Sequence, residues 1–155
     1  MKTISGSGHQ EFMEAALEEA RRGLAAGEVP IGAVLAIDGR IVARAFNQPI
    51  SASDPTAHAE LLVLREAGKA AANYRLTDAT VYVTLEPCLM CVGALVHARI
   101  ETVVYGAPEP KAGALDSTQR AHEHPALNHR LMVVSGVLAA ECRDLMQAFF
   151  KTRRA

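Results

Sequence analysis

Four side chains suited to metal-dependent chemistry occur in two short segments of the 155-residue sequence. His58 and Glu60 are two positions apart. Cys88 directly follows Pro87 and lies three positions before Cys91. Cysteines at positions i and i+3 of a helix lie on the same face, so both sulfurs can reach one ion. Two sulfurs and one imidazole form a ligand set that suits Zn²⁺. The pattern therefore predicts one zinc ion per chain, bound by His58, Cys88 and Cys91.

The predicted ligand number is that of a catalytic zinc centre. Three protein ligands leave a fourth position open, where a bound water has a pKa of about 7. The third cysteine, Cys142, has no spacing that connects it to the pair, and we expect it to be a small buried residue. The carboxylate of Glu60 can reach such a water from its position beside His58 and can move protons as a general acid and base. These residues predict a hydrolytic site.

Each of these residues also has a simpler interpretation. A lone Cys-x-x-Cys pair can be redox-active or accidental, His58 can cap a helix, and Glu60 can be a solvated acid in a first helical turn. Taken one at a time, these interpretations are the more common ones. The joint occurrence of all four residues at predicted helix starts favours the metal site.

The hydrophobic pattern predicts the elements that position these residues. Asp38-Gly39 between two apolar runs indicates a hairpin. Strand and helix then alternate, which predicts an α/β fold of three layers (α/β/α) around a mixed five-stranded sheet. The second helix is expected to begin between residues 54 and 57, with Asp54 or Thr56 as its N-cap. The predicted strands cover residues 29–37, 41–46, 80–84, 102–105 and 131–135, and the other helices cover residues 10–26, 88–98 and 138–153.

Composition and the N-terminal segment limit the class of protein. Half of the residues are apolar and 21% are charged, as in an ordinary globular domain. Residues 1–8 are rich in Ser and Gly without the apolar centre of a signal peptide, and predict a disordered leader before a single domain over residues 9–155. No stretch reaches the roughly 18–20 apolar residues of a membrane span. We therefore expect a cytoplasmic protein with no membrane partner and no nucleotide cofactor.

The metal-ligand pattern is also shared with a known superfamily. His-x-Glu followed by Pro-Cys-x-x-Cys resembles the signature of the zinc-dependent cytidine and deoxycytidylate deaminases. Within that superfamily, further segments resemble the bacterial tRNA-specific adenosine deaminases, and they span nearly the whole chain. These segments include residues 28–34, 54–60, 73–76, 82–88, 128–130 and 149–154.

The resemblance implies an activity and a partner. The family converts the wobble adenosine of an arginine tRNA to inosine, so the expected partner is a tRNA anticodon stem-loop. It also implies a homodimer whose RNA-binding surface draws on both subunits. Carried over to this sequence, Glu60 is the proton donor, Asn47 hydrogen-bonds the flipped base, and the Ala59 backbone N–H is a further candidate contact to that base.

The distribution of charge favours RNA binding near the C-terminus. The net charge is only −1, but residues 111–155 contain seven basic and four acidic residues, whereas residues 1–110 contain nine and 13. Single-stranded bases stack on aromatic side chains, and phosphates pair with Lys and Arg. Adjacent helical residues point about 100° apart, so we expect one Phe of the pair at 149–150 to pack inward and the other to face RNA. The candidate RNA contacts are Lys111, Asn128, Arg130, Phe149, Phe150 and Arg153.

Some residues near these candidates carry separate expectations. Pro108 and Pro110 depart from the family pattern and predict a stiffer loop. His122 and His124 are expected to be solvated loop residues. We expect no catalytic role for His9 or His97.

Three alternative functions remain open from the sequence. A deaminase of free guanine, cytosine or a nucleoside would share the same metal site and would need no basic tail. A non-catalytic, zinc-stapled RNA-binding module is disfavoured by Glu60, because a structural site has no use for a carboxylate beside an open position. A thiol-redox role for Cys88 and Cys91 explains neither His58 nor Glu60.

Overall fold

A computed structural model describes residues 6–154 as four helices, one short 3₁₀ helix and one five-stranded sheet. The strands run in the order β2-β1-β3-β4-β5 across the sheet. β1 is antiparallel to both β2 and β3, whereas β3, β4 and β5 are parallel. In chain order the elements are α1 (Gly6–Ala25), β1 (Gly32–Ile37), β2 (Arg40–Phe46), α2 (Ala59–Ala71), β3 (Ala79–Leu85), α3 (Leu89–His97), β4 (Thr102–Ala107), the 3₁₀ helix (Ala121–Glu123), β5 (Met132–Val134) and α4 (Ala139–Arg154).

Helices cover both faces of this sheet because the central strands are apolar on both sides. Leu35, Val81 and Val103 point into one core cluster, which also contains residues of α2 and α3. Val34 and Tyr82 point into the other cluster, together with residues of α1 and α4. Successive strand residues face opposite sides of a sheet, so a nearly continuous apolar run is needed to fill both cores. The predicted three-layer α/β/α fold with a mixed five-stranded sheet is confirmed.

The hairpin between β1 and β2 is also confirmed. Asp38 and Gly39 both have positive φ angles, 52° and 75°. Two successive residues in this conformation match the twist of antiparallel strands, and Asp-Gly is among the sequences that adopt it readily. A register shift between Leu35 and Ala36 adds a local irregularity that the sequence did not predict.

Several chain segments with polar residues meet at one edge of the sheet. Gly32 at the start of β1 pairs with Phe46 at the end of β2, and its neighbour Ala33 pairs with Val83 near the end of β3. Leu85, the last residue of β3, pairs with Ala107, the last residue of β4. The segments that precede β1 and follow β2, β3 and β4 therefore emerge together, and they carry the residues singled out above.

Two glycines permit close packing of helices on this sheet. A Cβ atom on Gly32 would lie 2.1 Å from the backbone oxygen of Ala16 in α1. A Cβ atom on Gly106 would lie 2.4 Å from the Sγ atom of Cys142 in α4. Cys142 is buried, as predicted for a small apolar residue. Both helices can reach the sheet only because these positions carry no side chain.

Some predicted boundaries are wrong for local physical reasons. The second helix begins at Ala59, with His58 as its N-cap, and not with Asp54 or Thr56. The Asp54 carboxylate accepts hydrogen bonds from the backbone N–H and the hydroxyl of Thr56, which closes a turn before the helix. β1 begins at residue 32 and not at 29, because residue 30 is a proline and the N–H of Ile31 turns back to bond the Val29 carbonyl.

The N-terminal helix is longer than its periodicity predicted. α1 begins at Gly6, so the backbone of residues 6–8, assigned above to a leader, is helical. The first five residues of that predicted leader lie outside the described residues. Within the part of the chain that the structure describes, no helix is long and apolar enough to cross a membrane.

Candidate active site

The first predicted metal ligand, His58, is held where the loop after β2 becomes helix α2. Its backbone is extended (φ −73°, ψ 150°), and its carbonyl accepts the first helical hydrogen bond from the N–H of Leu62. Hydrogen bonds from Gln48 N–H to the Ala57 carbonyl and from His58 N–H to the Thr56 carbonyl fix the loop that precedes it. Backbone hydrogen bonds therefore fix the position of the helix start that carries the imidazole.

The two cysteines lie at the start of α3, where the chain leaves β3. Cys88 is the N-cap residue, and Cys91 is completely buried in the first turn. The Nδ1 atom of His58 lies 3.6 Å from the Sγ atom of Cys88 and 3.4 Å from that of Cys91. All three ligand atoms lie within 4.8 Å of one another. The geometry brings together the three residues predicted to bind zinc.

The electrostatics of the trio suit a divalent cation. A hydrogen bond from Cys91, together with one from His58, lowers the pKa of the Cys88 thiol to about 4. The same bond to Cys88, reinforced by burial, raises the pKa of Cys91 well above its ordinary value. The hydrogen bond with Cys88 also raises the pKa of His58, although burial acts against this. The thiolate form is thus favoured at Cys88, and a bound metal would displace the protons of the neighbouring sulfur and imidazole.

Glu60 lies beside this trio in the first turn of α2. Its side chain is only 4% exposed. Burial raises the pKa of its carboxyl from 4.5 to about 7. A carboxyl group with a pKa near neutrality can both accept and donate a proton, which is the property required of a general acid and base. The local helical geometry thus places a proton carrier next to the three metal-ligand atoms.

Asn47 approaches the same helix start from the end of β2. It is buried, and its Oδ1 atom accepts a hydrogen bond of 2.8 Å from the N–H of Ala59. The family resemblance implies a contact between that N–H and the flipped base, but in this structure the N–H already donates to Asn47. The Nδ2 group of Asn47 has no hydrogen-bond partner among the described residues and is the donor left for a ligand.

Comparisons with known proteins show which protein family this chain belongs to. The model of the cytidine and deoxycytidylate deaminase zinc-binding region matches residues 7–107. The tRNA-specific adenosine deaminase of Haemophilus influenzae is 48% identical over 146 residues, which cover 94% of this chain and 84% of the relative. The chain belongs to this deaminase family. The tRNA-specific adenosine deaminase of Bacillus subtilis is also 48% identical, over 92% of this chain and 89% of the relative.

Solved deaminase structures agree with this fold. A structure from studies of A-to-I editing by tRNA:A34 deaminases at the wobble position of transfer RNA has a TM-score of 0.85 and 47% identity. The match covers 87% of this chain and 98% of that one. A guanine deaminase from Nitrosomonas europaea has a TM-score of 0.78 at 22% identity, a likeness that shows the fold alone.

Two buried carboxylates near the deaminase site were not predicted. Glu28, before β1, accepts hydrogen bonds from the N–H groups of Ile50 and Ser51 in the loop that follows Asn47. Glu86, after β3, accepts hydrogen bonds from the loop that follows β4. No periodicity marks such residues, because their partners are backbone N–H groups more than 20 positions away in sequence. The one local signal is at Glu86, a charged residue between the end of β3 and a proline.

The Phe pair in α4 divides as its helical spacing predicted. Phe149 is buried, whereas Phe150 is 47% exposed. The guanidinium carbon of Arg153 lies 4.9 Å from the centroid of the Phe149 ring and covers it. Phe149 is therefore a packing residue in this chain, and Phe150 is the one that presents an aromatic face to the surface.

Lys111 and Phe150 line the same groove. The groove has a volume of about 300 Å³ between the loop after β4 and helix α4. Arg143, which the sequence analysis did not single out, adds a further cation to its wall. The predicted basic and aromatic contacts are thus brought together here by tertiary structure.

The remaining predicted contacts lie in the segment before β5. The Oδ1 atom of Asn128 accepts a hydrogen bond of 2.8 Å from Arg99. Arg130 is exposed, and its guanidinium donates to the carbonyl of Leu127. Arg99 and Arg130 line a pocket that shares no lining residue with the groove beside α4.

The prediction that His122 is a solvated loop residue is wrong. This histidine is buried in the 3₁₀ helix, and its Nδ1 atom has no hydrogen-bond partner in the described part of the chain. Burial lowers the pKa of this imidazole, so the neutral form is favoured. A 3₁₀ helix of three residues is too short for a hydrophobic period to show which of its positions is buried. His124, by contrast, is exposed, as expected.

Proposed function

We propose that this protein hydrolytically deaminates adenosine to inosine at the wobble position of a tRNA anticodon loop. One observation carries the proposal: the His58, Cys88 and Cys91 ligand atoms lie beside the buried carboxylate of Glu60. The 48% identity to tRNA-specific adenosine deaminases over more than nine-tenths of the chain supports the choice of substrate.

The ligand set fits one zinc ion per chain. Two cysteine sulfurs and one imidazole nitrogen lie within 4.8 Å of one another, as one small ion requires. A thiolate at Cys88 supplies negative charge, and the start of α3 adds the positive end of a helix dipole that stabilises it. When bound, zinc supplies a Lewis acid that activates water at neutral pH.

Glu60 carries the protons of the reaction. Its carboxylate accepts a proton from the attacking water as the water oxygen forms a bond to C6 of adenine, and passes that proton to N1. It then accepts the remaining proton of the new C6 hydroxyl and delivers it to the exocyclic nitrogen, as the C6–N bond breaks, ammonia leaves and the C6 carbonyl forms. A pKa of about 7 lets one group perform both transfers.

Asn47 orients the base. Its Oδ1 atom is fixed by the N–H of Ala59, so the direction of its Nδ2 group is set before any ligand arrives. A preorganised donor loses little entropy on binding. We assign this group to an acceptor nitrogen of the flipped adenine, and Ala59 to holding Asn47 in place. An Ala59 N–H that also reaches the base would have to share its hydrogen with Asn47.

The anticodon stem-loop is held by residues outside the catalytic centre. Phe150 provides a stacking face, and Lys111 and Arg143 provide phosphate contacts along the groove between α4 and the loop after β4. Arg153, Asn128 and Arg130 remain predicted contacts to more distant parts of the RNA.

A homodimer completes the proposal, and an apolar cleft supports it. A cleft of about 690 Å³ lies between α2 and α3 and is lined by Leu64, Ala94 and Tyr74. Tyr74 is 71% exposed at this cleft, so a second copy of the chain that covered the cleft would also bury a large aromatic side chain. Tyr74→Glu should convert the dimer to a monomer in light scattering. Met132→Glu, at a 61% exposed apolar residue on β5, is the matched control.

The experiment that tests the function is inosine mapping. An anticodon stem-loop with adenosine at the wobble position, a whole tRNA pool, free guanine, cytosine and adenosine are each incubated with the zinc-loaded protein. Inosine at a wobble adenosine, with the free bases and the nucleoside unchanged, is expected. Deamination of guanine or cytosine alone would assign the protein to a free-base activity. Zinc binding without any deamination would leave only an RNA-binding module.

A cytoplasmic location stays a prediction.

A further inference from the structure

Glu86 is a buried carboxylate to which the proposed reaction gives no role. It is 3% exposed and lies two positions before the metal ligand Cys88. Its own N–H donates to the carbonyl of Ala107 at the end of β4. Among the described residues, no lysine or arginine forms a salt bridge with it. A buried charge without a cation is costly unless hydrogen bonds stabilise it. The hydrogen-bond donors around the Glu86 carboxylate therefore indicate which part of the structure this residue holds in place.

All side-chain partners of Glu86 lie in the loop after β4. One carboxylate oxygen accepts from the N–H of Glu109 at 3.1 Å and from the hydroxyl of Ser117. The other accepts from the N–H groups of Leu115, Asp116 and Ser117, at 3.1, 2.8 and 2.9 Å. Five donors from residues 109–117 therefore converge on one side chain, as backbone amides do around a bound anion.

The packing inside this loop is built around the same carboxylate. A Cβ atom on Gly113 would lie 2.3 Å from the carboxyl carbon of Glu86, so the loop can close on Glu86 only with glycine there. Next to it, the N–H of Ala114 donates to the carbonyl of Pro87 at 2.8 Å. The loop is thus fastened to the two residues that directly precede Cys88.

The outer side of the same loop faces the surface. Lys111 is exposed, and with Pro108 and Pro110 it lines the groove that also contains Arg143 and Phe150. The N–H of Lys111 bonds the Glu109 side chain, and the N–H of Glu109 bonds Glu86. A chain of two hydrogen bonds therefore connects the buried carboxylate to the proposed phosphate contact.

We propose that Glu86 is a positioning residue that fastens loop 109–117 to the metal-ligand turn and so sets the RNA-binding position of Lys111. The inference rests on the proposed tRNA deaminase function. In Glu86→Gln the carboxamide keeps one acceptor oxygen and replaces the other with a donor group. The N–H groups of Leu115, Asp116 and Ser117 then lose their shared acceptor or compete for one oxygen, and the loop shifts.

The test separates RNA binding from chemistry. For Glu86→Gln we expect the KM for the anticodon stem-loop to rise about fivefold or more, with kcat within about twofold and zinc content unchanged, since a misplaced binding group weakens binding alone. The salt dependence should also change. Loss of one phosphate contact to single-stranded RNA reduces the slope of log affinity against log salt by about 0.7.

Two further variants and a control make the test independent of folding problems. Gly113→Ala leaves Glu86 intact but pushes the loop away from it, and should reproduce the KM and salt effects. Glu86→Gln combined with Lys111→Ala should bind no more weakly than Lys111→Ala alone, because the two residues act through one contact. Glu19→Gln, at another buried glutamate that pairs with Arg22 in α1, should leave KM unchanged.

Each outcome decides between the proposals. A wild-type protein that leaves the wobble adenosine intact overturns the proposed function. An active wild type whose Glu86→Gln variant matches Glu19→Gln in KM and salt slope overturns the inference alone. Loss of zinc or of kcat at unchanged KM also overturns it, because Glu86 would then act on the metal-ligand turn and not on the loop.

Discussion

Replacing Glu28 with Gln should destabilise the protein in a pH-dependent way. Glu28 is 1% exposed, and its two carboxylate oxygens accept from the N–H of Ile50 at 3.2 Å and of Ser51 at 2.7 Å. A glutamine side chain retains one acceptor oxygen and presents an amide donor to the second N–H. The loss of one charged hydrogen bond in a buried place costs about 2 kcal/mol at neutral pH. For a chain of 155 residues, this corresponds to a fall in Tm of about 6 °C.

The pH dependence follows from the pKa of this carboxyl. Burial alone would raise the pKa of Glu28, but hydrogen bonds from Ser51 and Ile50 outweigh burial and lower it below 4.5. A lowered pKa in the folded state means that the stabilisation is present above the unfolded value and is lost as pH falls through the folded value. The wild type and Glu28→Gln should therefore differ most near pH 7, and the difference should shrink as pH falls below the unfolded-state pKa of a glutamate and vanish below the lowered folded-state pKa.

Urea unfolding of the two proteins between pH 3 and 7 measures this difference. Glu66→Gln, at an exposed glutamate of α2, is the control and should follow the wild type throughout. A stability difference for Glu28→Gln that stays constant over this pH range would contradict the reasoning. It would mean that the ionised carboxylate contributes nothing beyond what a neutral amide of the same shape contributes.

Three further predictions concern packing, the RNA surface and the metal. Gly32→Ala should prevent correct folding or lower Tm by more than about 6 °C, because the new Cβ would lie 2.1 Å from the Ala16 carbonyl oxygen. Thermal melting followed by circular dichroism measures the change in Tm, and a wild-type Tm would contradict the prediction. Phe150→Ala should raise the KM for the stem-loop about tenfold without loss of stability, consistent with one lost base stack. Phe149→Ala should instead lower the free energy of unfolding, measured in urea, by about 3 kcal/mol. Identical effects of Phe149→Ala and Phe150→Ala would refute the assignment of Phe149 to packing and of Phe150 to RNA binding. Cys91→Ser should lose zinc in metal analysis, and wild-type zinc content would remove that ligand.

The sequence predicted those features that depend on local pattern. Asp38-Gly39 predicted the hairpin, and the strand and helix alternation predicted three layers, because turn chemistry and hydrophobic period are local properties. The zinc trio was predicted because both of its parts are short motifs at helix starts. Their meeting at 3.4 and 3.6 Å needed only that two helices begin at the same edge of the sheet.

What could not be predicted depends on contacts distant in sequence. The roles of Glu28 and Glu86 come from backbone N–H groups that lie 22 to 31 positions away, and no composition or period encodes these pairings. The N-cap of α2 was misplaced because the Asp54 side chain bonds Thr56 in a turn of its own. His122 was misjudged because its burial is decided by packing of the 3₁₀ helix on α3.

The measurement that tests the central claim most directly is the single-turnover rate of inosine formation by Glu60→Gln. Zinc content is measured on the same sample, with Glu66→Gln as a control on the exposed face of the same helix. If Glu60 carries the protons, the variant should keep zinc and lose a factor of about 10² to 10⁴ in rate. A zinc-loaded Glu60→Gln variant that forms inosine at the wild-type rate would contradict this mechanism.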